Sequence, residues 1–159
     1  MQDIKVTPIG CVRNEIKGPK EDFWGGVESR IVLDVERFTA AALEGLGEFS
    51  HVEILFYFDR VENSAVVVGS RHPRGNPDWP LTGIFAQRGK ARPNRIGATI
   101  CHLVSVSGSE IAVSGLDALD GTPVLDIKPV LAEFLPDKSD VRQPQWSHEL
   151  MAEYSKSHR

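Results

Sequence analysis

The chain has 159 residues, 41% of them hydrophobic, and 18 Lys and Arg against 22 Asp and Glu give a net charge of −4. That length suits one domain with its own core, no apolar run approaches the roughly 20 residues that span a bilayer, and the opening MQDIKVTPIG lacks the basic-then-apolar order of a signal peptide. Cys11 and Cys101 are the only cysteines, too few for a disulfide framework, so two buried thiols in a reduced, cytoplasmic setting are expected.

Residues 4–7 alternate and read as a first strand stopped by Pro8 and Gly10, with a short strand at 11–13 after it. Residues 14–26 read as a loop. In it Phe23 and Trp24 precede Gly25 and Gly26, and adjacent aromatics at a glycine hinge suit a wall for a flat ring. A plug at the edge of the core is the commoner use of such residues. Residues 27–35 put Val27, Ser29, Ile31, Leu33 and Val35 on one face, the pattern of a half-buried strand. Residues 39–46 predict a short helix with Thr39 as N-cap and Gly47 as the stop.

Residues 51–58 are apolar on both faces except for His51 and Glu53, which predicts a central strand. Ser50 beside His51 assembles no nucleophilic triad with the rest of the chain. Residues 65–69 (AVVVG) predict another buried strand, 71–80 a loop dense in Pro and Gly, and 82–88 a strand leading into a second basic loop. Residues 99–106 and 111–113 flank Ser107, Gly108 and Ser109, the signature of a β-hairpin. Asp117 and Asp120 follow, with Gly115, Gly121 and Pro123 between and around them. Residues 124–128 then alternate, so that Asp126 and Lys128 share a face as an ion pair. Trp146, Leu150, Met151 and Tyr154 have helical spacing and predict a short amphipathic C-terminal helix.

Many short strands with one early and one late helix, and no alternating βα units, predict a mainly β protein. A single closed β-barrel with short flanking helices is favoured, because closure removes unpaired strand edges. Its extent is 1–159, with the core at 5–136 and a tail at 137–159.

Charge is distributed unevenly. Residues 71–95 carry six Arg and Lys against one acid, a local +5 within a chain of −4. Such a patch on an acidic body fits one specific anionic partner better than indiscriminate coating of nucleic acid. The bland alternative is a solvated loop whose arginines pair with the chain's own acids. An antiparallel hairpin brings its outer ends together. The loop with Arg88, Lys90, Arg92 and Arg95 is therefore expected beside the loop with Asp117 and Asp120. That pair of loops suits a zwitterion, or a cation held next to a polyanion. No GxGxxG, no GxxxxGK[ST] and no Cys/His cluster with zinc spacing occurs, so neither a nucleotide-fold fingerprint nor a metal is implied.

Residues 91–97 (ARPNRIG) and 114–129 (SGLDALDGTPVLDIKP) resemble the two signatures of the TsaA-like (TrmO) family of S-adenosylmethionine-dependent tRNA methyltransferases. Gly10 to Arg13, Gly45 to His51 and Gly83 to Arg88 extend the likeness over roughly 5–136. The resemblance implies a single β-barrel acting as a homodimer with S-adenosyl-L-methionine near the subunit interface. It implies methylation of the exocyclic amino nitrogen of a threonylcarbamoylated adenosine next to the tRNA anticodon. Carried over by position, the cofactor contacts fall on Phe23, Trp24 and Gly25, on Asp59 and Arg60, on Arg88 and Ala98, and on Ser114, Gly115, Leu116 and Asp117. Arg71, Arg74, Lys90, Arg92 and Arg95 would then face tRNA phosphates. Asp117 or Asp120 is the candidate acceptor of the amine proton, an inference from chemistry and not part of the family pattern.

Three departures stand out. The family usually carries proline at the position of Arg95, and Ser-Pro where Asn14 and Glu15 stand here. The longer tRNA-modifying members also carry a C-terminal domain with no counterpart in these 159 residues. Two other functions remain open at this stage: the same cofactor used on a small molecule or another RNA, and a non-catalytic ligand- or RNA-binding barrel.

Overall fold

Alternation of apolar and polar residues builds the sheet, and the sheet closes on itself. The computed structural model describes residues 1–157. Its strands are β1 (Gly10–Arg13), β2 (Glu28–Leu33), β3 (His51–Tyr57), β4 (Ser70–Arg71), β5 (Thr82–Gly83), β6 (Ile96–Ser107), β7 (Glu110–Ser114) and β8 (Pro123–Pro129). Six of them form a closed antiparallel barrel in the order β1-β2-β7-β6-β3-β8, and β4 and β5 form a separate two-stranded ribbon. Closure comes from β1 pairing with β8, Gly10 opposite Val124 and Cys11 opposite Pro123.

The inward residues fill the barrel. Val12, Ile31, Val52, Ile54, Phe56, Ile111, Val113 and Val124 are each at most 1% exposed. Each such side chain contributes about 1.5–3 kcal/mol by leaving water. Leu43, Leu116 and Ala118 complete this core from outside the strands. β3 pairs with both β6 and β8, as expected of the central strand. Register shifts at Leu55/Phe56 and Leu103/Ser105 mark bulges, which let long strands bend around a small barrel. The hairpin of β6 and β7 turns at Gly108, as the sequence predicts.

Several predicted elements differ. Residues 4–7 form no strand, and Ile4 and Val6 lie exposed at 89% and 56%, because β1 already holds the barrel position between β2 and β8. Residues 65–69 form no strand either. A 3-10 turn at Asn63–Ala65 leads into a connection tied by single bonds, Val67 N–H to the Ala91 carbonyl at 2.9 Å and Ile84 N–H to the Gly69 carbonyl at 2.9 Å. Three valines satisfy strand propensity, but a closed barrel has no edge left to offer them. Residues 82–88 give only the two residues of β5 and a 3-10 turn at Ile84–Ala86. Residues 39–46 form two 3-10 turns, Ala40–Leu43 and Leu46–Glu48, split at Gly45; the Thr39 side chain makes no capping bond. At the C-terminus, α1 covers Gln145–Leu150 and stops short of Tyr154. Asp126 and Lys128 form the expected ion pair at 2.5 Å.

Both cysteines are free thiols, Cys101 buried and Cys11 half-buried. Burial, with a smaller effect from Asp117, pushes the Cys101 thiol up to about 12, which makes it an inert core residue. Among the described residues no helix is long and apolar enough to cross a membrane, and no group of three or more His, Cys, Asp or Glu side chains is placed to hold a metal.

Candidate active site

One rim of the barrel gathers the charged loops. β7 ends at Ser114, opposite His102 of β6 and Glu28 of β2. Gly115 then turns the chain at φ 86°, a conformation that favours glycine, and a Cβ there would meet nothing within 4 Å. This open turn delivers Asp117 to the start of β6. One oxygen of its carboxylate accepts a hydrogen bond from the Thr99 hydroxyl, and the other accepts from the Tyr154 hydroxyl. Arg88 reaches the same strand from the basic loop and donates to the Ala98 carbonyl at 2.6 Å. The predicted meeting of the basic and acidic loops is therefore realised at Ala98 and Thr99.

Tyr154 joins these groups. Burial first, then the neighbouring Asp117 carboxylate, hold its phenol well above the usual tyrosine range, while Arg88 and Arg74 act in the opposite sense. The phenol thus stays protonated and donates to Asp117. Asp117 is thus the direct partner of Tyr154, with Arg88 and Arg74 acting on the phenol at longer range.

The loop at 14–26 is pinned from several sides. Asn14 donates through Nδ2 to the Ser29 Oγ and to the Ala118 carbonyl, both at 2.9 Å. This explains why Ser29 is the buried polar residue on the inner face of β2. Arg60 donates to the Lys17 carbonyl at 2.7 Å and the Asp120 carbonyl at 2.6 Å, so it staples this loop to the acidic one. Asp59 beside it is exposed. Asp120 accepts from the Asn14 backbone N–H at 3.1 Å and pairs with Lys17 at 2.7 Å. The Lys17 contact, then Asn14, holds the Asp120 carboxyl below the usual carboxylate range. That suits an ion pair and makes Asp120 a poor proton acceptor.

The two aromatics part company. Trp24 is buried at 4% exposure, with the Lys20 ammonium 5.2 Å from its ring, so it is the core plug. Phe23 is half-buried at φ 62°, in the left-handed region that costs a non-glycine residue about 1–2 kcal/mol. It ends a groove of about 570 Å³ formed by residues 15–23. Leu116 is fully buried in the core, so only its backbone can face a ligand.

The predicted phosphate-facing cations divide. Arg74 grips Asp22 with both terminal nitrogens, at 2.9 and 2.8 Å. Arg92 donates to the Gln87 carbonyl at 3.0 Å. Arg95 donates to the Val61 carbonyl and stacks 4.8 Å from the Tyr57 ring. Arg71 is half-buried, and its Nε has no partner among the described residues. Lys90 is exposed and makes no hydrogen bond or ion pair among the described residues.

Sequence reasoning missed Thr99 as a partner of Asp117, and it read Tyr154 only as a helix-face residue. The signal for the tail lies at Gly25, where a Cβ would stand 1.9 Å from the Ser155 carbonyl oxygen. Glycine is required there because residue 155 runs against it.

A small closed barrel with a filled interior and charged groups on its rim loops defines the class: an antiparallel β-barrel protein. The family model described as the tRNA-methyltransferase O N-terminal domain matches residues 16–135, and the chain belongs to this TrmO N-terminal (TsaA-like) family. The human protein named tRNA (adenine(37)-N6)-methyltransferase is 45% identical over 93 residues, covering 58% of this chain and 21% of that one. A protein of Methanothermobacter thermautotrophicus named "Probable S-adenosyl-L-methionine-binding protein" is 35% identical over 131 residues, covering 80% of this chain and 90% of its own length. A crystal structure of TrmO from Pseudomonas aeruginosa superposes with a TM-score of 0.69 at 31% identity, over 89% of this chain and 61% of that one. The chain thus spans about a fifth of the mouse and human relatives (21% of each).

Proposed function

We propose that this chain binds S-adenosyl-L-methionine at the barrel rim and methylates the exocyclic amino nitrogen of a threonylcarbamoylated adenosine next to a tRNA anticodon. The observation that carries the reading is the convergence of Arg88 and Asp117 on Ala98 and Thr99. The donor set suits this cofactor. Arg88 offers a guanidinium to a carboxylate. Asp117 offers carboxylate lone pairs to an ammonium or a ribose hydroxyl. Phe23 offers a ring to an adenine, and the Gly115 turn lets backbone approach closely. The printed name of the Methanothermobacter relative, a probable S-adenosyl-L-methionine-binding protein, supports the same cofactor.

When bound, the cofactor supplies an electrophilic methyl group on a sulfonium. The residues of the chain contribute orientation, which can supply about 7–11 kcal/mol of such a barrier. Arg60 fixes the 14–26 loop against the acidic loop, and the Thr99 and Tyr154 hydroxyls fix the Asp117 carboxylate. Both carboxylates are committed, Asp120 to Lys17 and Asp117 to the Thr99 and Tyr154 hydroxyls, so the amine proton is left to solvent in this reading. Of the predicted phosphate-facing cations, Arg71 and Lys90 have donors to spare for phosphate, while Arg92 and Arg95 keep only those not spent on the Gln87 and Val61 carbonyls. The outward face of β6 exposes Ile96, Ile100 and Val104 at 40%, 46% and 51%, an apolar stripe that suits a second copy of the chain in a homodimer.

One observation favours a second reading, in which the cofactor is kept and the acceptor is a small molecule or another RNA. Arg74, Arg92 and Arg95 spend donors on the chain's own groups, which leaves fewer cations for phosphates. The deciding experiment is transfer of labelled methyl from S-adenosylmethionine to tRNA from cells lacking this chain, with nucleoside mass spectrometry of the product. Label in the modified adenosine supports the first reading; cofactor binding without label in tRNA supports the second. Absence of cofactor binding removes both.

A further inference from the structure

Residues 151–157 run along the loop that carries Phe23 and Trp24. Phe23 N–H donates to the Glu153 carbonyl at 3.1 Å, and Trp24 N–H to the Tyr154 carbonyl at 2.8 Å. Gly25 admits the Ser155 carbonyl where any Cβ would stand 1.9 Å away. From the other side, Trp79 Nε1 donates to the Glu149 carboxylate at 2.9 Å, which ties α1 to the basic loop. Within 151–157 every residue is exposed except Tyr154. The tail therefore docks in one register, and its inward group is a phenol aimed at Asp117.

We propose that Tyr154 is a positioning residue of the methyl-donor site: its hydroxyl, together with that of Thr99, locks the Asp117 carboxylate in the orientation that receives the cofactor. This rests on the S-adenosylmethionine reading above. A carboxylate has about four acceptor positions. Two O–H donors, one on each oxygen, fix its plane and leave one lone pair on each for a ligand's ammonium or ribose hydroxyl. Without the phenol, Asp117 keeps its charge but regains rotation, and the ligand must order it on binding. A tail that only covered the rim would need neither a half-buried hydroxyl nor contact with a carboxylate.

The test is isothermal titration of S-adenosylmethionine and S-adenosylhomocysteine into the full chain and into Tyr154→Phe, Asp117→Asn and the double variant, with thermal melting of each. Tyr154→Phe keeps the ring and the backbone contacts. Its expected effect is about tenfold weaker binding of both ligands, the scale of a hydrogen bond to a charged group, with little change in melting temperature. In the Asp117→Asn background the same substitution is expected to cost no more, since the effect runs through that carboxylate. If Asp117→Asn abolishes binding, the loss in Tyr154→Phe at unchanged melting temperature decides. Unchanged or tighter binding by Tyr154→Phe overturns the proposal, the latter result marking the tail as a competitor of the ligand. An equal further loss in the Asp117→Asn background also overturns it. A wild-type chain that binds neither ligand removes the cofactor reading and this inference together; wild-type binding with an indifferent Tyr154→Phe removes the inference alone.

Discussion

Arg88 and Asp117 hold neighbouring residues of one strand: Arg88 donates to the Ala98 carbonyl at 2.6 Å, and Asp117 accepts from the Thr99 hydroxyl. A cation and an anion are thereby set side by side without being each other's partner. We expect Arg88→Ala to weaken S-adenosylmethionine binding by about tenfold or more. Arg88→Lys should recover part of it, since lysine restores charge but not the planar fork. Calorimetry measures both, and wild-type affinity in Arg88→Ala would exclude the rim as the binding site.

Adjacent aromatics should behave oppositely. Trp24, at 4% exposure, is a core residue, and Trp24→Ala is expected to cost about 3–5 kcal/mol of stability. Phe23 sits half-buried at φ 62°. Phe23→Ala should cost far less stability yet weaken cofactor binding. Denaturant unfolding alongside titration separates the two, and equal stability losses would return Phe23 to the core.

Cys101 gives the alkaline limit. Its thiol is raised by burial to about 12, above its value in the unfolded chain. Between those values the unfolded chain loses a proton that the native state keeps, so unfolding becomes easier as pH rises. Stability should decline from about pH 9 upward, and Cys101→Ala should flatten that decline even as it lowers stability at neutral pH. A thiol reagent at pH 8 should modify Cys101 only in denaturant. Fast modification of native protein at Cys101 would contradict this.

Arg95 stands where the family resemblance leads one to expect proline. Here the residue has φ 51°, and its N–H donates to the Arg92 carbonyl at 3.0 Å. Proline is locked near −65° and has no N–H. Arg95→Pro should therefore destabilise by more than about 1 kcal/mol, although it installs the expected residue. A higher melting temperature in this variant would show that the loop can adopt the other conformation.

The β-hairpin, the central strand and the meeting of the two charged loops were legible because each rests on local pattern: alternation at 99–106, apolarity at 51–58, turn chemistry at Gly108. The strands expected at 4–7 and 65–69 were not formed, although both patterns were sound. Strand pairing is a contest for partners, and closure of six strands left none for Ile4, Val6 or Val68. Tyr154 was unreadable for a related reason. Its partner lies 37 residues earlier in the chain, and nothing in helical spacing announces a contact made after the helix has ended. Gly25 held the clue, but a glycine declares only that something passes close, not what.

The filled interior has a consequence for how such a protein can change. Phe56, Ile54 and their neighbours fill the inside of the barrel, so change is tolerated best in connections anchored at both ends by that scaffold. Insertions or substitutions in those connections can reshape the rim while the cylinder beneath stays as it is. Loop character and thermal robustness are thus free to diverge along separate lines of descent.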